Sequence, residues 1–300
     1  MITDRALNWA EKTLLENNIP DSKLDAELLL THLLDIDRLQ LLMRTHKPVT
    51  TSEFDGYKNL VYKRVHGKPL AYITGQQEFM GYKFYIDENV LIPRPETELL
   101  VEEALGIILD YIRKNNKNDG INIIDMCAGS GNIAVSLAKL LLENDFGAFK
   151  IYASDISSKA LEVTTKNARL NNVSDYIITI MGDLFEPFIS REISGVDFII
   201  SNPPYVRSGE LPYLQKEVQQ EPVIALDAGD DGMNFFIRII NEAHRHLVYK
   251  GFLLMEAGEG QAGDINKLVR NNRGLTFKKI VKDYSGKDRI VVIQKAEDRS

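Results

Sequence analysis

Between residues 121 and 255 the chain repeats one pattern: strand-length apolar runs at 121–126, 151–154, 176–181, 196–200 and 252–255, most of them separated by amphipathic stretches of helical period. Runs this short and this continuously apolar have both faces buried, and strands that alternate with helices pair in parallel. The pattern requires an open α/β sheet. Two further runs, 277–284 and 289–294, are joined only by Ser285-Gly286-Lys287-Asp288. That loop is too short for a crossover, so the sheet must end in an antiparallel hairpin. In such a sheet a ligand lies beyond the carboxyl ends of the strands.

The first part of the chain reads differently. From Thr3 to about Gly67 the apolar period is helical, punctuated by Asn17-Asn18-Ile19-Pro20 and Lys47-Pro48. This predicts a small helical bundle, with Trp9 in its packing and Lys63, Arg64, His66 and Lys68 on the wet face of its last helix. Short apolar stretches around Gly81 and Asp87-Glu88-Asn89 suggest a hairpin. Pro95 then suits a helical first turn, and Glu96 and Glu98 complement the N-terminal dipole of a helix running to about Lys114. A polar linker, 114–120, precedes the sheet. The expected organisation is a helical domain at 1–76, a β-hairpin linker at 77–92 and the α/β domain at 93–300.

Composition narrows the function. Asp and Glu number 43 against 36 Lys and Arg, a net charge of −7, so no global positive field holds a polyanion and no stable nucleic-acid binding is expected. No run approaches the roughly 18 apolar residues of a membrane span, and the first residues lack the apolar region of a signal peptide. Cys127, the only cysteine, forms no intrachain disulfide and suits a reducing compartment. A cytoplasmic, soluble protein without membrane partners is expected.

The first strand of the sheet runs into Asp125-Met126-Cys127-Ala128-Gly129-Ser130-Gly131-Asn132-Ile133-Ala134. Glycines at 129 and 131 let the backbone turn tightly and approach a ligand without a Cβ in the way. The spacing also fits the dinucleotide fingerprint, so a nicotinamide or flavin reading stands beside others. Asp155, ending the second strand, can accept both hydroxyls of a ribose in either reading. Asp125 would repel a pyrophosphate but suits a ligand with an amino group and a sulfonium. Asp183, after the third strand and beside apolar Leu184 and Phe185, would fit an adenine amino group and ring. The three aspartates together describe S-adenosylmethionine better than NAD.

The fourth strand ends in Ser201-Asn202-Pro203-Pro204-Tyr205. Two prolines cannot continue a central ladder, so the strand stops and a stiff turn presents Asn202 and Tyr205 at the ligand-bearing edge. The Asn202 side-chain oxygen and the Pro203 carbonyl are two acceptors suited to the two N–H bonds of a planar –NH2 group, on which Tyr205 can stack. Such a nitrogen is a poor nucleophile because its lone pair is delocalised. Two aligned acceptors ease its attack on a methyl carbon and hold it in line. The five histidines, at 32, 46, 66, 244 and 246, lie outside these motifs, and His244 and His246 make a poor metal pair. Catalytic histidine and metal are not expected.

Asn202-Pro203-Pro204-Tyr205, with Asp125 to Gly131 and Asp155, resembles the amino-methyltransferases of adenine, guanine and glutamine amides. Gly67-Lys68-Pro69-Leu70-Ala71-Tyr72-Ile73-Thr74-Gly75, Glu78-Phe79-Met80-Gly81 and Ile92-Pro93-Arg94-Pro95-Glu96-Thr97-Glu98 narrow the likeness, with Glu221-Pro222 and Asp230-Asp231-Gly232. Nearly the whole chain resembles the bacterial peptide-chain release factor N5-glutamine methyltransferases, the PrmC/HemK family. The resemblance implies a Rossmann-like class I S-adenosylmethionine methyltransferase sheet ending in an antiparallel hairpin, with a small N-terminal helical domain that helps dock the substrate. It implies methylation of N5 of the glutamine in the Gly-Gly-Gln motif of class 1 release factors. By the same likeness Cys127, Ala128, Gly129, Ser130, Gly131, Asp155, Leu184 and Asn202 contact the cofactor, while Asn202, Pro203, Pro204 and Tyr205 hold the substrate amide. The chain departs from the family's usual Gly-Thr at Cys127-Ala128, and modestly around Glu256-Ala257-Gly258, which is expected to have little bearing on the chemistry. An adenine or guanine N-methyltransferase of DNA or RNA is the alternative.

Overall fold

The computed structural model describes residues 1–117 and 119–297; Asn118, in the polar linker, lies outside the described residues. The chain gathers into two compact units, Met1–Gln76 with Gln215–Gln220, and Gln77–Leu214 with Glu221–Ser300.

The smaller unit is built from α1 (Thr3–Glu16), α2 (Ser22–Leu34), α3 (Arg38–Leu42), α4 (Thr51–Val65) and α5 (Leu70–Thr74). Ala6, Ala10 and Leu14 recur at helical spacing and bury one face of α1 against Leu29, Leu30, Tyr57 and Val61. Each large side chain so buried contributes about 1.5–3 kcal/mol. Capping boxes at Asp37 and Thr50 start α3 and α4 by satisfying backbone N–H groups that the helices leave open. Trp9 packs edge-on to Phe54 and Tyr57, as expected of a core aromatic. The basic cluster is divided, however. Arg64 is buried, with Nε donating to Asp25 at 2.6 Å and Nη2 to Glu217 at 2.7 Å. Helical spacing alone could not distinguish it from its wet neighbours, because its carboxylate partners come from 39 and 153 residues away.

The larger unit contains the short pair β1 (Gln76–Phe79) and β2 (Tyr82–Tyr85), then α6 (Pro95–Asn115). Pro95 opens α6, acids fill its first turn and Arg113 and Lys114 its last. There follow β3 (Ile121–Met126), α7 (Asn132–Glu143), β4 (Phe149–Asp155), α8 (Ser158–Leu170), β5 (Ile177–Met181), α9 (Glu186–Ile189), β6 (Val196–Ser201), α10 (Asn234–His246), β7 (Leu247–Glu256), α11 (Ala262–Asn271), β8 (Leu275–Lys282) and β9 (Asp288–Lys295). Seven strands form one sheet in the order β5-β4-β3-β6-β7-β9-β8. The first five are mutually parallel, and β9 runs antiparallel to both of its neighbours. β8 ends two residues before the position expected from its apolar run. Asp283 accepts from the backbone N–H groups of Ser285 and Lys287 and from Arg289, so it belongs to the turn.

The connection leaves β3 toward β4 on one side, and β6 later returns to the other side of β3. This is the switch point of the sheet. The register is in step there, with Met126 beside Ser154 on one flank and beside Ser201 on the other. Consequently the loops after β3, β4 and β6 leave the sheet at one level.

Candidate active site

The loop after β3 is shaped by positive φ angles at Cys127 (63°), Gly129 (54°) and Gly131 (76°). A Cβ on Gly131 would sit 2.7 Å from Thr164 Cγ2, so the loop and α8 touch closely only because this position is glycine. A Cβ on Gly129 would meet no atom within 4 Å. Hydrogen bonds from Thr164 Oγ1 to the Gly129 carbonyl and from the buried Asn167 Nδ2 to the Ser130 carbonyl hold the loop from below, both at 2.9 Å. Asp155, at the tip of β4, accepts from Gly129 N–H through Oδ2 and from Ser157 N–H through Oδ1, again at 2.9 Å. Each carboxylate oxygen retains a further lone pair.

A cavity opens above these strand ends. Cys127, Gly129, Asp155, Asp183, Leu184, Asn202 and Pro204 line it, so the structure brings together expected residues from four separate loops. Ala128, Ser130 and Gly131 shape the loop without lining the cavity. Pro203 and Tyr205 are not wall residues either. Ile156, Phe235 and Arg238 also line it, and sequence reading missed them. Phe235 and Arg238 lie on α10, whose facing toward the cavity is set by tertiary packing. Arg238 donates to Asp183 Oδ2 at 2.6 Å, which leaves the other oxygen of that carboxylate for a ligand.

Asp125 does not line the cavity. It is fully buried below the loop, where Oδ2 accepts from Ala134 N–H at 3.0 Å and Oδ1 meets no donor among the described residues. Its structural work is to hold the first turn of α7 to β3. Burial pushes its pKa up to about 8. The neutral form that this favours removes the argument from charge repulsion made for a fully ionised residue. A consequence follows for stability. The folded chain retains a proton on Asp125 that the unfolded chain, with a pKa of 3.8, has released, so this carboxyl makes stability fall as pH rises from about 4 to 8. Asp125→Asn is therefore expected to gain in melting temperature relative to the parent as pH is raised from 6 to 9, without cofactor. Parallel melting curves, with a gap independent of pH, would contradict this. Cys127 is held as a protonated thiol, since burial and the neighbouring Asp155 push it well up. It packs against the core and is no nucleophile.

The Asn-Pro-Pro-Tyr turn is anchored by groups distant in sequence. Asn202 Nδ2 donates to Thr97 Oγ1 at 3.1 Å, and Thr97 Oγ1 donates to Glu256 Oε2 at 2.6 Å. Tyr205 OH reaches the other oxygen of Glu256 at 3.4 Å. Gln261 Nε2 donates to the carbonyls of Tyr205 and Gly232, both at 3.0 Å, while its Oε1 accepts from Gly258 N–H. The segment around Glu256, expected to have little bearing on the chemistry, thus stands directly behind the turn. On the neighbouring loop the buried Glu221 accepts from Ile92 N–H and from Arg94, holding the irregular stretch that carries Asn89 to Leu91 into the cavity wall.

The residues present suit S-adenosylmethionine. Asp155 offers acceptors at the wall, Gly129 leaves space above the loop, and Ile156, Leu184 and Phe235 supply apolar surface for a planar ring. A parallel sheet with its ligand cavity at the β3 switch point, closed by a β7-β9-β8 antiparallel edge, is the class I methyltransferase fold. Residues 5–75 match the family model of the PrmC N-terminal domain, and residues 101–264 that of the methyltransferase small domain. The chain is 38% identical to the release factor glutamine methyltransferase of Thermodesulfovibrio yellowstonii, over 91% of this chain and 92% of that one. It is 36% identical to the enzyme of the same name from Chlorobaculum tepidum (91% and 90%) and 34% identical to that of Clostridium acetobutylicum (96% and 96%). The chain belongs to the release factor glutamine methyltransferase family. It is an S-adenosylmethionine-dependent methyltransferase.

Proposed function

We propose that the protein methylates the side-chain amide nitrogen, N5, of the glutamine in the Gly-Gly-Gln motif of class 1 peptide chain release factors. The observation that carries this reading is the orientation of Asn202. Asn202 lines the cavity, and because its –NH2 group is engaged by Thr97, its Oδ1 is the end left to accept. An acceptor there, with the Pro203 carbonyl next to it, is complementary to a primary amide that offers two N–H bonds in one plane. The donor supplies a methyl group on a sulfonium, an electrophile that needs no further activation. Asn202 and Pro203 orient the nitrogen, and Tyr205 stacks on the plane of the amide. As the new N–C bond forms the sulfur–methyl bond breaks, the sulfur leaves with the bonding pair as a neutral thioether, and the nitrogen sheds a proton to these acceptors or to solvent. Tyr205 stays a neutral phenol, because burial and Glu256 push its pKa well up.

Asp155 and Asp183 with Leu184 hold the nucleoside, and the loop 127–131 lies against the rest of the donor. The helical domain 1–76 helps dock the folded release factor. No described helix is long and apolar enough to cross a membrane, and we place the enzyme in the cytoplasm with its protein substrate. Net charge of −7 favours a protein partner over bulk nucleic acid. The test supplies labelled S-adenosylmethionine with four acceptors in parallel: release factor, the same factor with its motif glutamine changed to alanine, DNA and tRNA. Label is expected on the unmodified factor alone. Label on nucleic acid and none on the factor would overturn the reading.

A further inference from the structure

Three groups behind the Asn-Pro-Pro-Tyr turn form a chain with a direction. Glu256 is 1% exposed, and as a carboxylate it can only accept. Thr97, also 1% exposed, has a single hydroxyl hydrogen, and at 2.6 Å from Glu256 Oε2 that hydrogen is committed. The Thr97 oxygen can then serve Asn202 only as an acceptor, which draws the Asn202 –NH2 toward it. We infer that Thr97 and Glu256 are positioning residues that set the flip of the Asn202 amide, so that its oxygen, and not its –NH2, faces the amide to be methylated.

The inference rests on the function proposed above. Its physical content is polarity. With Glu256 protonated, the carboxylic acid can donate to Thr97, whose hydrogen is released to face Asn202, and the side-chain amide then gains by turning its oxygen inward. The reacting amide would meet two N–H donors where it needs an acceptor, and binding of its –NH2 would be opposed. Glu256 is faced by Thr97 and Glu96 from α6, by Tyr205 from the turn and by Arg289 from β9. Burial raises its pKa to about 7, against the hydrogen bond from Thr97 and the charge of Arg289, which favour the ionised form. The polarity of the chain is therefore lost as pH falls through neutrality.

Two measurements test this. In the first, turnover at saturating S-adenosylmethionine and release factor is compared for Thr97→Val and Thr97→Ser. Valine keeps the shape and deletes the hydroxyl, and is expected to lower kcat by about 10- to 100-fold with the cofactor Kd little changed. Serine restores the hydroxyl and should return kcat to within a few-fold of the parent. Equal rates for the two variants would overturn the inference. In the second, the 15N side-chain amide resonance of Asn202, assigned by its loss in Asn202→Asp, is followed from pH 5 to 9 in the absence of release factor. It is expected to titrate near neutrality in the parent and to stay constant in Glu256→Gln, since glutamine keeps an acceptor for Thr97 at every pH. The same titration in both proteins, or in neither, would overturn it. Because the second measurement needs no protein substrate, it decides the inference even where labelling of the release factor fails.

Discussion

Asn202→Ala is expected to lower turnover at saturating cofactor by about a hundred- to a thousandfold, the loss seen when one aligned polar group is removed from a reacting centre. Alanine removes the Oδ1 acceptor from the cavity and leaves Thr97 Oγ1 without its donor. The backbone turn itself survives, because Pro203, Pro204 and the clamp from Gln261 to the Tyr205 carbonyl do not depend on that side chain. The effect should therefore fall on kcat. Cofactor affinity by calorimetry should change by no more than about threefold, since Asn202 contributes one wall residue among many. Near-normal turnover would show that the acceptor is assigned to the wrong side chain.

Asp155→Asn is expected to act on the other substrate. Both carboxylate oxygens already accept a backbone N–H, from Gly129 and from Ser157, and the residue lines the cavity. Asparagine has one acceptor oxygen, so its –NH2 must point at one of those N–H groups, and the glycine loop or the start of α8 loses its anchor. The charge-assisted acceptance of ribose hydroxyls proposed for Asp155 is lost as well. A bond of this kind is worth about 1.5–3 kcal/mol, and the loss of one should lower the affinity for S-adenosylmethionine by about 10- to 150-fold. Calorimetry reads this directly. A variant that bound the donor as tightly as the parent would remove Asp155 from the cofactor site.

The two variants divide the site as the chain itself divides it. Asp155 ends β4 and Asn202 directly follows β6, on opposite flanks of β3, and register brings both strand ends level with the glycine loop. A change at one flank is expected in binding and at the other in turnover.

Much of this arrangement was legible in the residues. Continuously apolar runs announced buried parallel strands, because only two covered faces tolerate them, and a four-residue connection announced the antiparallel edge. Gly129, Gly131 and the two prolines of the turn carry local backbone constraints that hold in any context, so the loop and the end of β6 could be placed before any contact was known. Asp155 was legible for the same reason, being an acid at the end of a strand that must lie next to the first.

What needed tertiary structure was direction and partnership. Asp125 and Asp155 are the same residue type at successive strand ends, yet one is sealed under the loop with a pKa near 8 and the other borders the cavity. Arg64 sits in a basic cluster on a helix, and only its distant partners Asp25 and Glu217 make it a buried ion. Thr97 and Glu256 lie 105 and 54 residues from Asn202 along the chain, and no local pattern links them. By itself the sequence determined the sheet, the loops at its edge and several of the residues that line the cavity, since these follow from short-range backbone geometry and apolar periodicity. Only the folded chain decided which carboxyls keep their protons and which way the Asn202 amide faces, since burial and hydrogen-bond direction arise between segments that meet only in three dimensions.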